Sequence, residues 1–183
     1  MRKFLSVMLS VVLSIVLFTA NVYATTPNGT PTVPLANITV YKLFYNMDYV
    51  IDTRRPGGIT PEGYPIYMTS LPLEPLMQSQ RFANTIVISN PAGNSICGIK
   101  CFFDANGNKS DMVNVISKFI KALDENAYNE MGAQWINQQL NEFLSSYETI
   151  KRITAKSMNR YYKFYGETYD GVLEVNIVAD YWK

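Results

Sequence analysis

The chain contains no histidine. That absence removes the Ser-His-Asp triad, the Cys-His dyad and every imidazole metal ligand. It also removes the side chain whose ordinary titration lies nearest neutral pH. The usual substitutes are missing too: there is no Gly-x-Ser-x-Gly, no Ser-x-x-Lys, no Walker loop and no Gly-x-Gly-x-x-Gly. Cysteine is scarce, with two in 183 residues. Cys97 and Cys101 are four apart in a strand-like stretch, which places them roughly 13 Å apart, beyond the ~7 Å that a disulfide allows. They read as two small core side chains on one strand face with Ile99 and Phe103. Without a histidine to activate a thiolate, neither is a candidate nucleophile.

Charge of either sign is also sparse. Arg2 and Lys3 are two of the 16 basic residues, so residues 25–183 keep 14 basic against 15 acidic, a net charge of −1. Such a balance gives no global attraction to nucleic acid or to an anionic membrane. No cofactor is expected.

What is present begins at the N-terminus. Arg2 and Lys3 precede an almost uninterrupted apolar run from Phe4 to Phe18, and Val22-Tyr23-Ala24 supplies small residues at the −3 and −1 positions. This pattern predicts a cleavable signal peptide over residues 1–24. The apolar run is short for a membrane span, so stable membrane insertion is not expected after cleavage. An uncleaved N-terminal anchor is the alternative. The expected location is secreted or extracytoplasmic, in the cell envelope.

Residues 25–36, rich in Thr, Pro and Gly, read as a flexible leader. Residues 37–183 then suit a single α+β domain. Asn37–Tyr45 and Tyr49–Thr53 read as a hairpin joined near Asn46-Met47-Asp48. The prolines and glycines of 54–80 predict a long irregular excursion. Thr85–Ser89 and Ser95–Phe103 read as strands around a turn at 90–94. Two amphipathic helices follow. The first is capped by Ser110 or Asp111 and carries Met112, Val113, Val115, Ile116, Phe119, Ile120 and Leu123 on one stripe. The second carries Tyr128, Met131, Trp135, Ile136, Leu140, Phe143, Leu144 and Tyr147, with Gln138 among its polar residues. Asp170-Gly171 is a two-residue hairpin turn before a strand over Val172–Trp182. Residues 150–159 fit either helix or strand. The expected architecture is α+β: an antiparallel sheet of about six strands with two helices packed on one face.

Two constellations resemble chemistry. Asp104-Ala105-Asn106-Gly107-Asn108 resembles a calcium loop, but Lys109 and Val115 stand where an EF-hand requires Gly and Glu. It reads as a polar turn, and no metal site is expected. Lys151, Arg152, Lys156, Arg160 and Lys163 form the one charge cluster, with no acid between Glu148 and Glu167. Arg152, Lys156 and Arg160 are spaced by four, which suits one face of a helix or a strand. Tyr161, Tyr162 and Tyr165 crowd the same segment. Cations beside aromatic rings suit an anionic polymer; a solvated face with snorkelling side chains is the plainer reading.

The expected function is therefore non-catalytic: an exported binding or interaction domain whose ligand the sequence does not name, with an anionic envelope polymer, another exported protein or a small ligand as its candidate partners and no nucleic-acid partner. Its candidate binding residues are Arg152, Lys156, Arg160, Tyr161, Tyr162 and Tyr165, and it has no candidate catalytic residue. The alternative is a small secreted hydrolase built on a carboxylate pair, with Glu62 and Glu74 in the irregular excursion as the residues best placed by location. Asn28, Asn37 and Asn108 each begin an Asn-x-Ser/Thr triplet, which matters only in a host that glycosylates exported proteins.

Overall fold

A computed structural model describes residues 31, 33–48, 57–71, 83–146, 151–153 and 160–181. These lie within the compact unit Pro31–Lys183. The architecture is α+β, with a seven-stranded, fully antiparallel sheet and four described helices. The strands are β1 (Gly58–Ile59), β2 (Pro65–Ser70), β3 (Ala83–Ser89), β4 (Ile96–Asp104), β5 (Lys151–Ile153), β6 (Arg160–Tyr169) and β7 (Val172–Tyr181). Their spatial order is β1-β2-β3-β4-β7-β6-β5. The helices are α1 (Val40–Asn46), α2 (Lys109–Leu123), α3 (Glu125–Met131) and α4 (Ala133–Ser145). Among the described residues, no helix is long and apolar enough to cross a membrane.

Where a strand is expected over Asn37–Tyr45, the chain is helical from Val40 onward. Thr39 caps α1 by accepting a hydrogen bond from the Lys42 amide at 3.1 Å. Val40, Leu43, Phe44 and Met47 are buried, at the i, i+3, i+4, i+7 spacing of a helix face. Tertiary burial thus overrides the β propensity of Val, Tyr and Phe here. The proposed return strand at 49–53 lies outside the described residues. Within the expected irregular excursion, β1 and β2 add to the sheet, and Pro65 stands at the first residue of β2, where a missing amide is tolerated. At the end of the expected leader, Leu35 and Ala36 are buried, and Ala36 bridges Ile96. The last two residues of that segment thus pack against the domain.

After the turn that follows β4, the described chain is helical up to Ser145. Asn108, not Ser110 or Asp111, caps α2: its side chain accepts from the Ser110 amide at 2.9 Å. Asp124 ends α2 and caps α3 through the Ala127 amide at 3.0 Å. The expected second helix is broken in two by Gly132, whose φ of 82° no ordinary helix residue adopts. That break resets the helical phase. Ile136, Leu140, Phe143 and Leu144 face the core, whereas Trp135 is 39% exposed. Trp135 therefore does not occupy the centre of the buried stripe.

One core cluster joins Val87 of β3, Ile99, Cys101 and Phe103 of β4, Leu173, Val175 and Ile177 of β7, and Tyr162 and Phe164 of β6 with apolar residues of α1, α2 and α4. The register places these strand residues on a common face. The opposite face is also buried near its middle, at Ile86, Ile88 and Phe102, and all nine residues of β4 are inaccessible. Such burial on both sides fits a central strand whose apolar residues fall on both of its faces. Asp170 and Gly171 join β6 to β7 with φ of 47° and 77°, the paired positive values of a type I′ turn.

Candidate functional site

The basic and aromatic cluster falls on β5 and β6. Antiparallel pairing sets Arg152 directly opposite Lys163, Ile153 opposite Tyr162, and Lys151 opposite Phe164. Directly opposed residues share a face, and successive residues alternate. Arg152, Tyr161, Lys163 and Tyr165 therefore occupy one face, while Arg160, Tyr162 and Phe164 occupy the other. Arg152 and Arg160 do not form one stripe: they stand on different strands and opposite faces. Tyr162 is fully buried in the core cluster, so it belongs to packing and not to a binding surface. Lys156 lies outside the described residues. What the fold assembles is a Tyr161–Lys163–Tyr165 row along β6 with Arg152 across from its centre.

Opposite charges across a strand pair stabilise it and like charges directly opposed destabilise it. The register sets two basic residues, Arg152 and Lys163, directly opposite each other. Tyr161 faces Asp180 in the register, and Tyr165 faces Asn176.

Farther along the same face lies a buried polar group that composition did not single out. Lys100 Nζ donates to Glu174 Oε1 at 2.9 Å, and Asn176 Nδ2 donates to the same oxygen at 2.9 Å. The side chains of Lys100 and Glu174 are 7% and 2% exposed. Tyr169 Oη lies 3.5 Å from Glu174 Oε2. The register also sets Glu167 opposite Glu174. Glu174 is consumed by its partners and shielded from solvent, which suits a structural role. Of the carboxylates singled out by location, Glu62 is exposed in a turn and Glu74 lies outside the described residues.

A third arrangement was hidden by the strand reading of 37–45. Tyr41 and Tyr45 are each 61% exposed, one turn apart on α1. Their rings are nearly parallel, with centroids 6.2 Å apart. Lys42 Nζ lies 4.9 Å from the Tyr45 centroid. A helical reading would have shown the signal, since Val40, Leu43, Phe44 and Met47 face inward and leave Tyr41 and Tyr45 outside.

The cysteines are free and buried. Burial pushes the Cys97 thiol above its ordinary value. It pushes Cys101 up to about 12, with a hydrogen bond to Thr85 acting in the other direction. Neither can serve as a ready thiolate. The calcium-like loop is a turn in which Asp104 Oδ1 accepts from the Asn106 amide at 3.0 Å. Among the described residues, no group of three His, Cys, Asp or Glu side chains is arranged to hold a metal ion.

No family model matches the chain, and neither a curated protein nor a solved structure matches it.

Proposed function

We propose that this protein is an exported, non-catalytic domain that binds an anionic envelope polymer through the β5–β6 end of its sheet. One observation carries the reading: Arg152 and Lys163 occupy directly opposed positions in the strand register. Paired cations are a cost to the sheet that a bound anion would offset. The tyrosine positions on either side of Lys163 add apolar, hydrogen-bonding rings to that charge. Export rests on the basic start, the apolar run and the small residues at Val22 and Ala24.

Polyphosphate is a suitable first probe, because it offers charge without rings. Binding that weakens as salt rises, and that disappears in an Arg152→Gln/Lys163→Gln variant at least as stable as wild type, supports the reading. Salt-insensitive binding, or equal binding by the variant, rejects it.

A further inference from the structure

We propose that Met68 is an oxidation site on the outer edge of the sheet, and that its sulfoxide releases the start of β1. Methionine oxidation follows the access of an oxidant to the sulfur. Among the described residues, Met47 and Met112 are buried and Met131 is partly buried, whereas Met68 is 42% exposed. Met68 also covers its neighbour strand. A Cβ built on Gly57 would lie 2.9 Å from Met68 Cγ and 3.3 Å from Met68 Cε. The sulfur is bonded to both of those carbons, so the thioether lies across the bare backbone of Gly57, at the entry to β1.

The two ends of β1 are held by different means. At its far end Thr60 is buried; its amide donates to the Tyr64 carbonyl at 2.8 Å, and its hydroxyl accepts from the Tyr64 amide at 3.2 Å. At its start the Gly57 amide donates to the Ile66 carbonyl, and Met68 packs over that glycine. Within β1 itself, Gly58 has no side chain and Ile59 is mostly in water. Hydrogen peroxide transfers one oxygen atom to a thioether. The O–O bond breaks, an S–O bond forms, the sulfur gives up two electrons and the peroxide leaves as water. An apolar group thereby becomes a polar one. Pressed on Gly57, a sulfoxide loses hydration that no partner there replaces, so it turns outward and uncovers the glycine. Thr60 keeps its anchor, which confines the release to the start of β1. This edge lies at the opposite end of the sheet from β5, so the inference stands whether or not the β5–β6 reading holds.

Dilute hydrogen peroxide applied to the folded protein, followed by peptide mass spectrometry over time, ranks the methionines. Met68 should oxidise about tenfold or more faster than Met47 and Met112. Residue-resolved amide hydrogen exchange reads the consequence. After oxidation the Gly57 amide should exchange about tenfold faster, while the Thr60 amide and those of β3 and β4 keep their rates. Met68→Leu keeps the apolar cover without the sulfur, so its Gly57 protection should survive peroxide. Met68→Gln puts a polar group in the same place and should show the faster Gly57 exchange with no peroxide added. Equal oxidation rates at Met68 and Met112 in folded protein overturn the site. Unchanged Gly57 exchange in protein oxidised at Met68 overturns the release, as does an equal loss of protection in peroxide-treated Met68→Leu.

Discussion

Lys100 reaches Glu174 diagonally across the β4–β7 pair, because the residue directly opposite Lys100 is Asn176. The lysine and the asparagine amide converge on one carboxylate oxygen, both at 2.9 Å. Burying an ion pair gives little net stability, but removing one partner leaves a charge stranded away from water. Lys100→Met should therefore cost about 3–5 kcal/mol. Adding Glu174→Gln to that variant should recover most of the loss, since the uncompensated charge disappears while an acceptor for Asn176 remains. Urea titrations of the two single variants and the double variant test this. Strictly additive losses would show that the two groups are not energetically coupled.

The helical stretch yields a second test. Ile136 is fully buried and Trp135 is not. Ile136→Ala should cost about 2–5 kcal/mol, whereas Trp135→Ala should cost about 1 kcal/mol or less. A larger loss at Trp135 would place it in the core and contradict the phase set by Gly132.

Trp135 also shows why some of this fold was legible and some was not. Tyr128, Met131 and Trp135 continue one stripe only if the helix is unbroken. The positive φ of Gly132 shifts the phase, and a single glycine is weak warning of such a break. Asp170-Gly171 was legible because a type I′ turn demands two positive φ values, and few dipeptides meet that demand. In α1, β propensity outweighed a helical spacing that was already visible at Val40, Leu43, Phe44 and Met47. The candidate site was read from composition and a spacing of four. A spacing of four keeps Arg152 and Arg160 on one face only while the element is unbroken; the fold places them on separate antiparallel strands, and alternation along the second buries Tyr162. Nothing local in the sequence pairs Lys100 with Glu174, since 74 residues separate them.

The cap of α2 gives a third prediction. Asn108 accepts hydrogen bonds from both the amide and the hydroxyl of Ser110, each at 2.9 Å. Asn108→Ala should lower stability by about 1 kcal/mol, while Asp111→Ala should lower it by less. Thermal melts of the two variants decide between these caps, and the reverse order would restore the cap to the helix's first turn.

The buried thiols predict a pH dependence. Cys101 has an ordinary value near 9 and is raised to about 12 in the folded protein. The unfolded chain therefore loses this proton first as pH rises. The thiol's contribution to stability is complete below about pH 9 and is lost progressively as pH climbs toward about 12. Wild-type protein should lose stability more steeply than Cys101→Ala between pH 8 and 10.5, as read by urea midpoints. Parallel pH slopes would show that the thiol does not titrate differently in the two states. Native protein should also resist thiol reagents at pH 8 until it unfolds.

The opposed cations on β5 and β6 lead to a prediction in which stability and binding move in opposite directions. Lys163→Glu converts a like-charge cross-strand pair with Arg152 into an attractive one. Such a change is worth roughly 0.2–1 kcal/mol to an antiparallel sheet. Lys163 is itself partly buried, next to Tyr162 and Phe164 in the chain, so the backbone beneath it is well supported. The variant should therefore melt at or above the wild-type temperature. It should also lose salt-sensitive polyphosphate binding, because the carboxylate repels the ligand that the lysine attracts. A stabilised variant that no longer binds identifies the Arg152–Lys163 register as a feature kept at the expense of the fold. A destabilised variant would instead show that Lys163 meets a carboxylate in the native sheet, and the cluster would revert to an ordinary solvated face.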